Sequence, residues 1–256
     1  MSDKSIFPTS LEKAVENLTD APTKTVGQTL SDILYLVFGG ISYTAEKRKL
    51  EYTYRLQEFE ATLKQKVNSI PESRQIPPDF QTVGQALNDA KYCLEDETLR
   101  EMFCSLIAST MDKEKSPFVH PAFSDTIKRM APLDAKNLLL FSPNKQFPIA
   151  DIRVQLANEN TSFLLMENVF LAGTPEISAD RQAFSISTLE ALGLVHIDTT
   201  YRIMGESEYR DFKKNPFFEA LEIDYKDLGE VTIQKKICRL TNYGISFLKV
   251  CSPTNI

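Results

Sequence analysis

Apolar residues at helical spacing as far as Met130, and alternation of apolar and polar residues after Pro143, predict a mainly α-helical protein with a smaller α+β part. The expected architecture is an N-terminal helical domain followed by a winged-helix-like C-terminal domain. The first, residues 1–130, carries a long charged helix near residues 43–70. The second, residues 131–256, is winged-helix-like with a helical insertion in the wing.

In the first half, a short helix around Leu11, Val15 and Leu18 precedes a polar linker. Residues 26–41 follow, with Leu30, Ile33, Leu34, Val37 and Phe38 at helical spacing and Gly39-Gly40 at the end. The segment reads as a core helix, or as one that meets a membrane; at this length core or interfacial packing is the usual outcome. Residues 43–70 repeat Tyr52, Leu56, Phe59, Leu63, Val67 and Ile70 every three or four positions on an otherwise charged helix. So narrow a stripe suits an antiparallel hairpin or a seam between copies. Tyr52, Leu56, Phe59 and Leu63 are therefore the candidate interaction residues. Pro71 ends this rod, and residues 80–94 form another helix with Val83, Leu87 and Ala90 inward.

Residues 97–141 hold the clearest periodicity: Leu99, Met102, Phe103, Leu106, Ile107 and Met111. Asp96 or Thr98 can cap this helix. Pro121 and Pro132 then suit the first turns of two further helices, where a missing N–H costs nothing. His120, between helices, reads as a helix cap or satisfied core group, or as a base, ligand or pH sensor. Asp112, Glu114 and Lys115 sit in a crowded polar loop and read as solvated charges.

The second half changes texture. Residues 147–156 alternate as a strand, and residues 163–171 are apolar and ambiguous between helix and strand. Residues 181–192 form a helix ending at Gly193, followed by strands at 194–198 and 231–240. A helix over 208–223, interrupted or restarted at Asn215-Pro216, lies between those strands. Thr241 caps a closing helix. This order is that of a winged helix. The helix at 181–192 is poor in the Arg, Lys, Asn and Gln that read base edges, so protein interaction is favoured over nucleic-acid binding.

Composition bounds the rest. The 256 residues carry 29 basic and 35 acidic side chains, for a net charge of −6, and are 42% hydrophobic. That balance argues against a nonspecific nucleic-acid binder. The four cysteines, Cys93, Cys104, Cys238 and Cys251, form no CxxC pair, so free thiols in a reducing cytoplasm are expected. The N-terminus lacks the apolar core of a signal peptide. No phosphate-binding glycine loop, nucleophile elbow or zinc-protease motif occurs. No enzyme activity, metal or cofactor is expected.

The strings around Leu99–Phe103, Leu106–Lys115 and Val119–Leu139, with Val26-Gly27, Phe38-Gly39, Ile70-Pro71, Leu240-Thr241, Gly244 and Phe247, resemble the bacterial abortive-infection alpha (Abi-alpha) family. The resemblance covers most of the chain and implies a role in defence against phage. Together with the residues it gives a cytoplasmic, non-enzymatic protein acting through self-assembly or a protein partner. Alternatives are membrane perturbation by residues 26–41 and nucleic-acid regulation by the winged helix.

Overall fold

A computed structural model describes residues 46–157, 160–199 and 206–253, with backbone alone at 46–50 and 206. Residues 26–41 lie outside the described residues. Among the described residues the chain forms nine α-helices and one four-stranded antiparallel sheet. It divides into two compact units, one running to Arg129 and resuming with Phe247–Ile256, the other Met130–Ser246.

In the first unit, α1 (Glu46–Asn68) is the charged rod, and its stripe is spent on packing. Phe59, Leu63, Val67 and Ile70 are all buried, and α1 packs on α3 (Glu97–Thr110), which follows α2 (Phe80–Ala90). Asp96 is the cap of α3, its Oδ1 accepting the Leu99 N–H at 2.9 Å. From Leu99 to Thr110 every α3 residue except Glu101 is buried. A helix buried nearly all round is the centre of its unit. α4 (Ala122–Arg129) is held to α2 through buried Asp89. That carboxylate accepts from Ser124 Oγ at 2.6 Å and from Lys128 Nζ at 2.9 Å.

The second unit opens with α5 (Pro132–Leu138), with Pro132 in its first turn and the Asp134 carboxylate accepting the Ala131 N–H at 2.8 Å. Then come β1 (Gln146–Leu156), β2 (Ser162–Val169), α6 (Ala179–Ala191), β3 (Val195–Asp198), α7 (Arg210–Lys213), α8 (Pro216–Tyr225), β4 (Gly229–Leu240) and α9 (Asn242–Cys251). The sheet order is β2-β1-β4-β3. β1 pairs along its whole length with β4, from Gln146 opposite Arg239 to Leu156 opposite Gly229. The boundary between the units falls inside α9.

The winged-helix expectation is overturned. Residues 163–171, ambiguous by periodicity, supply β2, which pairs antiparallel with β1. A strand therefore stands where a helix-turn-helix needs its first helix. The helical segment between β3 and β4 packs on the sheet. Tyr209, Phe212 and Phe218 are buried in one cluster with Ala150, Ile152, Val154, Val169 and Val231 of the sheet. β3 and β4 do pair, over four residues, but β1 is the principal neighbour of β4. The physical reason for the misreading is that an apolar run satisfies helix and strand equally in sequence. The unpaired edge of β1 decides the matter, because its backbone groups need partners.

A bulge sits where β1 meets β2, between Ala150 and Ile152. Asn168 takes a φ of 55° there, a conformation that Asn tolerates better than most residues. Its N–H donates to Asp151 Oδ1 at 2.9 Å. Lys236 Nζ meets Asp151 Oδ2 at 2.6 Å and donates to Asn168 Oδ1 at 3.2 Å. All three side chains are buried, so three strands share one closed polar knot.

Thr241 and Gly244 fix the start of α9. The Gly244 N–H donates to Thr241 Oγ1 at 2.9 Å. A Cβ on Gly244 would lie 2.0 Å from the Leu194 carbonyl oxygen, so only glycine fits that approach.

Removing one member of a buried ion pair strands the other. Asp151→Ala is expected to cost about 3 kcal/mol or more in urea unfolding. The double variant Asp151→Leu/Lys236→Met is expected to recover most of that loss.

Candidate partner-binding groove

The sequence-predicted interaction residues divide between core and surface. Phe59 and Leu63 are fully buried, while Tyr52 and Leu56 are half-buried. Beside them lies a turn with exposed Tyr54 and half-buried Arg55 and Glu58. Glu58 organises it. Its carboxylate takes Arg55 at 2.9 Å and Arg100 of α3 at 3.2 Å. Hydrogen bonds from Arg55, then from the Tyr54 hydroxyl, hold Glu58 below the usual carboxylate range. The same bond to Glu58 raises the Tyr54 phenol. Arg100 is itself buried and donates to the Leu94 carbonyl at 2.7 Å, which fixes the turn after α2 against α3.

Between these elements runs an open groove of about 800 Å³. Glu51, Tyr52, Tyr54 and Arg55 form one wall, and Lys91, Tyr92, Leu94 and Glu95 the other. Tyr54 is 56% exposed and Tyr92 75%. The Arg55 guanidinium lies 5.6 Å from the centre of the Tyr54 ring, and the Lys128 ammonium 5.7 Å from that of Tyr92. Tyrosine and arginine are the residue types that dominate protein interfaces, because they combine large apolar area with a polar end. Each wall also carries one acid and one base.

His120 is exposed, and its Nδ1 accepts the Ala122 N–H at 3.1 Å, at the start of α4. That places it in a capping role, with its ring 5.9 Å from that of Phe123. The four thiols are buried. Burial pushes Cys104 up to about 12 and also raises Cys238 and Cys251 above the usual thiol range. Such thiols are poor nucleophiles. Among the described residues no group of three or more His, Cys, Asp or Glu could hold a metal ion. Nor is any described helix long and apolar enough to cross a membrane.

Tyr54, Tyr92 and Arg55 were not singled out by sequence. The apolar stripe drew attention to the inward positions, whereas Tyr54 lies on the neighbouring, exposed face. One signal was available: a tyrosine at 54 and an arginine at 55, outside the stripe of an otherwise charged helix.

The chain belongs to the abortive infection alpha family, whose model matches residues 51–251. That membership puts it among proteins of abortive-infection defence. No curated protein matches the chain. A solved structure of an uncharacterized protein from the hydrocarbon-degrading marine bacterium Alcanivorax borkumensis SK2 is similar over 54% of this chain and 94% of its own. Identity is 15% and the TM-score 0.34.

Phe59→Asp would place a charge at a site with no exposure. It is expected to cost more than about 4 kcal/mol and abolish cooperative melting of the helical unit by circular dichroism. His120→Ala is expected to cost about 1 kcal/mol, as loss of a helix cap does, with the helical spectrum unchanged.

Proposed function

We propose that this protein serves phage defence in the cytoplasm as a non-enzymatic binding protein, pairing with a second copy of itself through the Tyr54–Tyr92 groove. The observation that carries this reading is the pair of highly exposed tyrosines facing one groove beside Arg55. A second copy is favoured as occupant by the charge pattern. Glu51 and Glu95 balance Arg55 and Lys91, and each wall holds one of each sign. A two-fold interface presents the same patch from both sides, so a self-balanced groove can oppose acid to base. The cytoplasm is supported by four buried free thiols, which suit a reducing compartment. A non-enzymatic role is supported by the capping position of His120 and by thiols held protonated through burial.

Light scattering of the purified protein is expected to give a mass above the 29.0 kDa of one chain. Tyr54→Ala/Tyr92→Ala is expected to return the mass to that of one chain, leave melting nearly unchanged, and remove protection in a plaque assay. A wild-type monomer that still protects would overturn self-pairing. Co-purification of that monomer with a host or phage protein through the same tyrosines would move the groove to a different partner.

A further inference from the structure

A second cleft lies at the opposite end of α1, within the same unit. It encloses about 360 Å³. Lys66 and Ile70 come from the end of α1 and its exit, and Arg74 from the short 3-10 turn Glu72–Arg74. Ser105 and Ser109 come from α3, Asp112 and Lys115 from the loop after it, and Ser252 from the residue after α9. Residues far apart in sequence therefore converge on one small polar space.

Its charge is unbalanced. Arg74 is consumed by carboxylates: its Nε donates to Asp112 Oδ1 at 3.0 Å, a second nitrogen meets Asp112 Oδ2, and a third meets Glu114 at 2.8 Å. Burial pushes Asp112 up, but Arg74 and the Glu114 N–H overcome this and hold it below the usual range. Both carboxylates are thus engaged with one guanidinium, while Lys66 and Lys115 line the same cleft. Lys66 Nζ donates to the Pro253 carbonyl at 3.1 Å, and an ammonium has three N–H groups to give. Burial lowers the Lys115 pKa, and Arg74, Lys66 and Lys249 lower it further against the pull of Asp112. Crowded, partly desolvated cations are the environment in which an anion gains most.

The hydroxyls supply an independent sign. Ser105 is 7% exposed and Ser252 8%, and neither Oγ finds a hydrogen-bond partner among the described residues. Hydroxyls on other helices of this protein return to the carbonyl four residues back, as Thr126 does to Ala122 and Ser187 to Ala183. Ser109 is also satisfied, donating to the Val250 carbonyl at 2.9 Å. Two buried, unpartnered hydroxyls on one cleft are rare in a native structure and call for a ligand or water to meet them.

We propose that this cleft binds a phosphoryl group carried by a small molecule, its oxygens taken by Lys66, Lys115, Ser105 and Ser252. A phosphoryl group offers three strong acceptor oxygens to these donors. The volume falls in the range of small-molecule sites, roughly 300–1,000 Å³. Ile70, Pro71 and Ala108 give the rest of the ligand an apolar wall.

The test is calorimetric titration and thermal shift of the full chain with inorganic phosphate and with a nucleoside monophosphate, each against sodium chloride at matched ionic strength. Saturable binding that chloride does not reproduce is expected. Lys115→Ala and Ser105→Ala are each expected to weaken it roughly tenfold. Lys64→Ala, an exposed lysine paired with Glu60 on α1, is expected to leave it unchanged. Ser105→Ala removes a hydroxyl without a partner, so the unliganded protein is expected to melt no lower than wild type. That separates lost binding from lost folding. Tighter binding of the nucleotide than of phosphate identifies an organic ligand, and equal affinity identifies free phosphate. No saturable response to either anion, or an equal loss in Lys64→Ala, would overturn the site. None of these outcomes depends on the tyrosine groove.

Discussion

The seating of α1 on α3 is the contact on which both the tyrosine groove and the polar cleft depend. Phe59 and Leu63 are fully buried in the helical unit, and burying side chains of this size contributes about 1.5–3 kcal/mol each. The Arg100–Glu58 pair crosses the same contact at its edge. That pair has a second duty, because Arg100 also holds the Leu94 carbonyl. The turn carrying Tyr92 is thereby fixed relative to the turn carrying Tyr54. At the other end of α1, Lys66 and Ile70 reach the polar cleft. One helix, held by one apolar contact, therefore sets the geometry of both surfaces.

The second unit follows a different economy. Its sheet is held at the centre by the Asp151–Lys236–Asn168 knot, and a buried ion pair is worth little unless every member is satisfied. Here the strained backbone at Asn168 turns its N–H toward Asp151 while its side chain meets Lys236. The bulge is thus what closes the network. On the apolar side, Tyr209, Phe212 and Phe218 complete the core, and the Tyr209 hydroxyl donates to the Lys236 carbonyl at 2.8 Å. The segment after β3 is consequently part of the sheet's own stability.

Local chemistry was readable in sequence and non-local pairing was not. Asp96 as a cap, Pro132 at a helix start, Thr241 at the last helix, and the restart at Asn215-Pro216 all depend on neighbours within a few residues. Asn215 does accept the Phe217 N–H at 3.0 Å, at the start of α8. Residues 163–171 stayed ambiguous because strand or helix was decided by β1, not by their own pattern. The winged-helix expectation followed from that ambiguity. The candidate interaction residues divide between buried and half-buried positions for a related reason. A stripe at 52, 56, 59 and 63 reveals which face is apolar, but not whether α3 or another molecule covers it. The polar cleft was less legible still. Lys66, Arg74, Ser105, Lys115 and Ser252 share no motif, and the loop at Asp112 and Lys115 reads as ordinary solvation until the fold buries Asp112.

The cost of the two serine hydroxyls makes their position informative. A buried hydroxyl without a partner destabilises a fold by about 1–3 kcal/mol, against a total stability of roughly 5–15 kcal/mol. Alanine at either position would avoid that cost, and alanine is also the better helix former at Ser105. The chain instead places both beside Lys66 and Lys115, in a space that a ligand can enter. Local rules are broken most often where function requires it. In this protein Ser105 and Ser252 meet on one cleft, whereas the groove at the other end of α1 stands out by its exposed aromatic rings. A ligand would therefore stabilise the helical unit directly, because it supplies partners that Ser105 and Ser252 lack among the described residues.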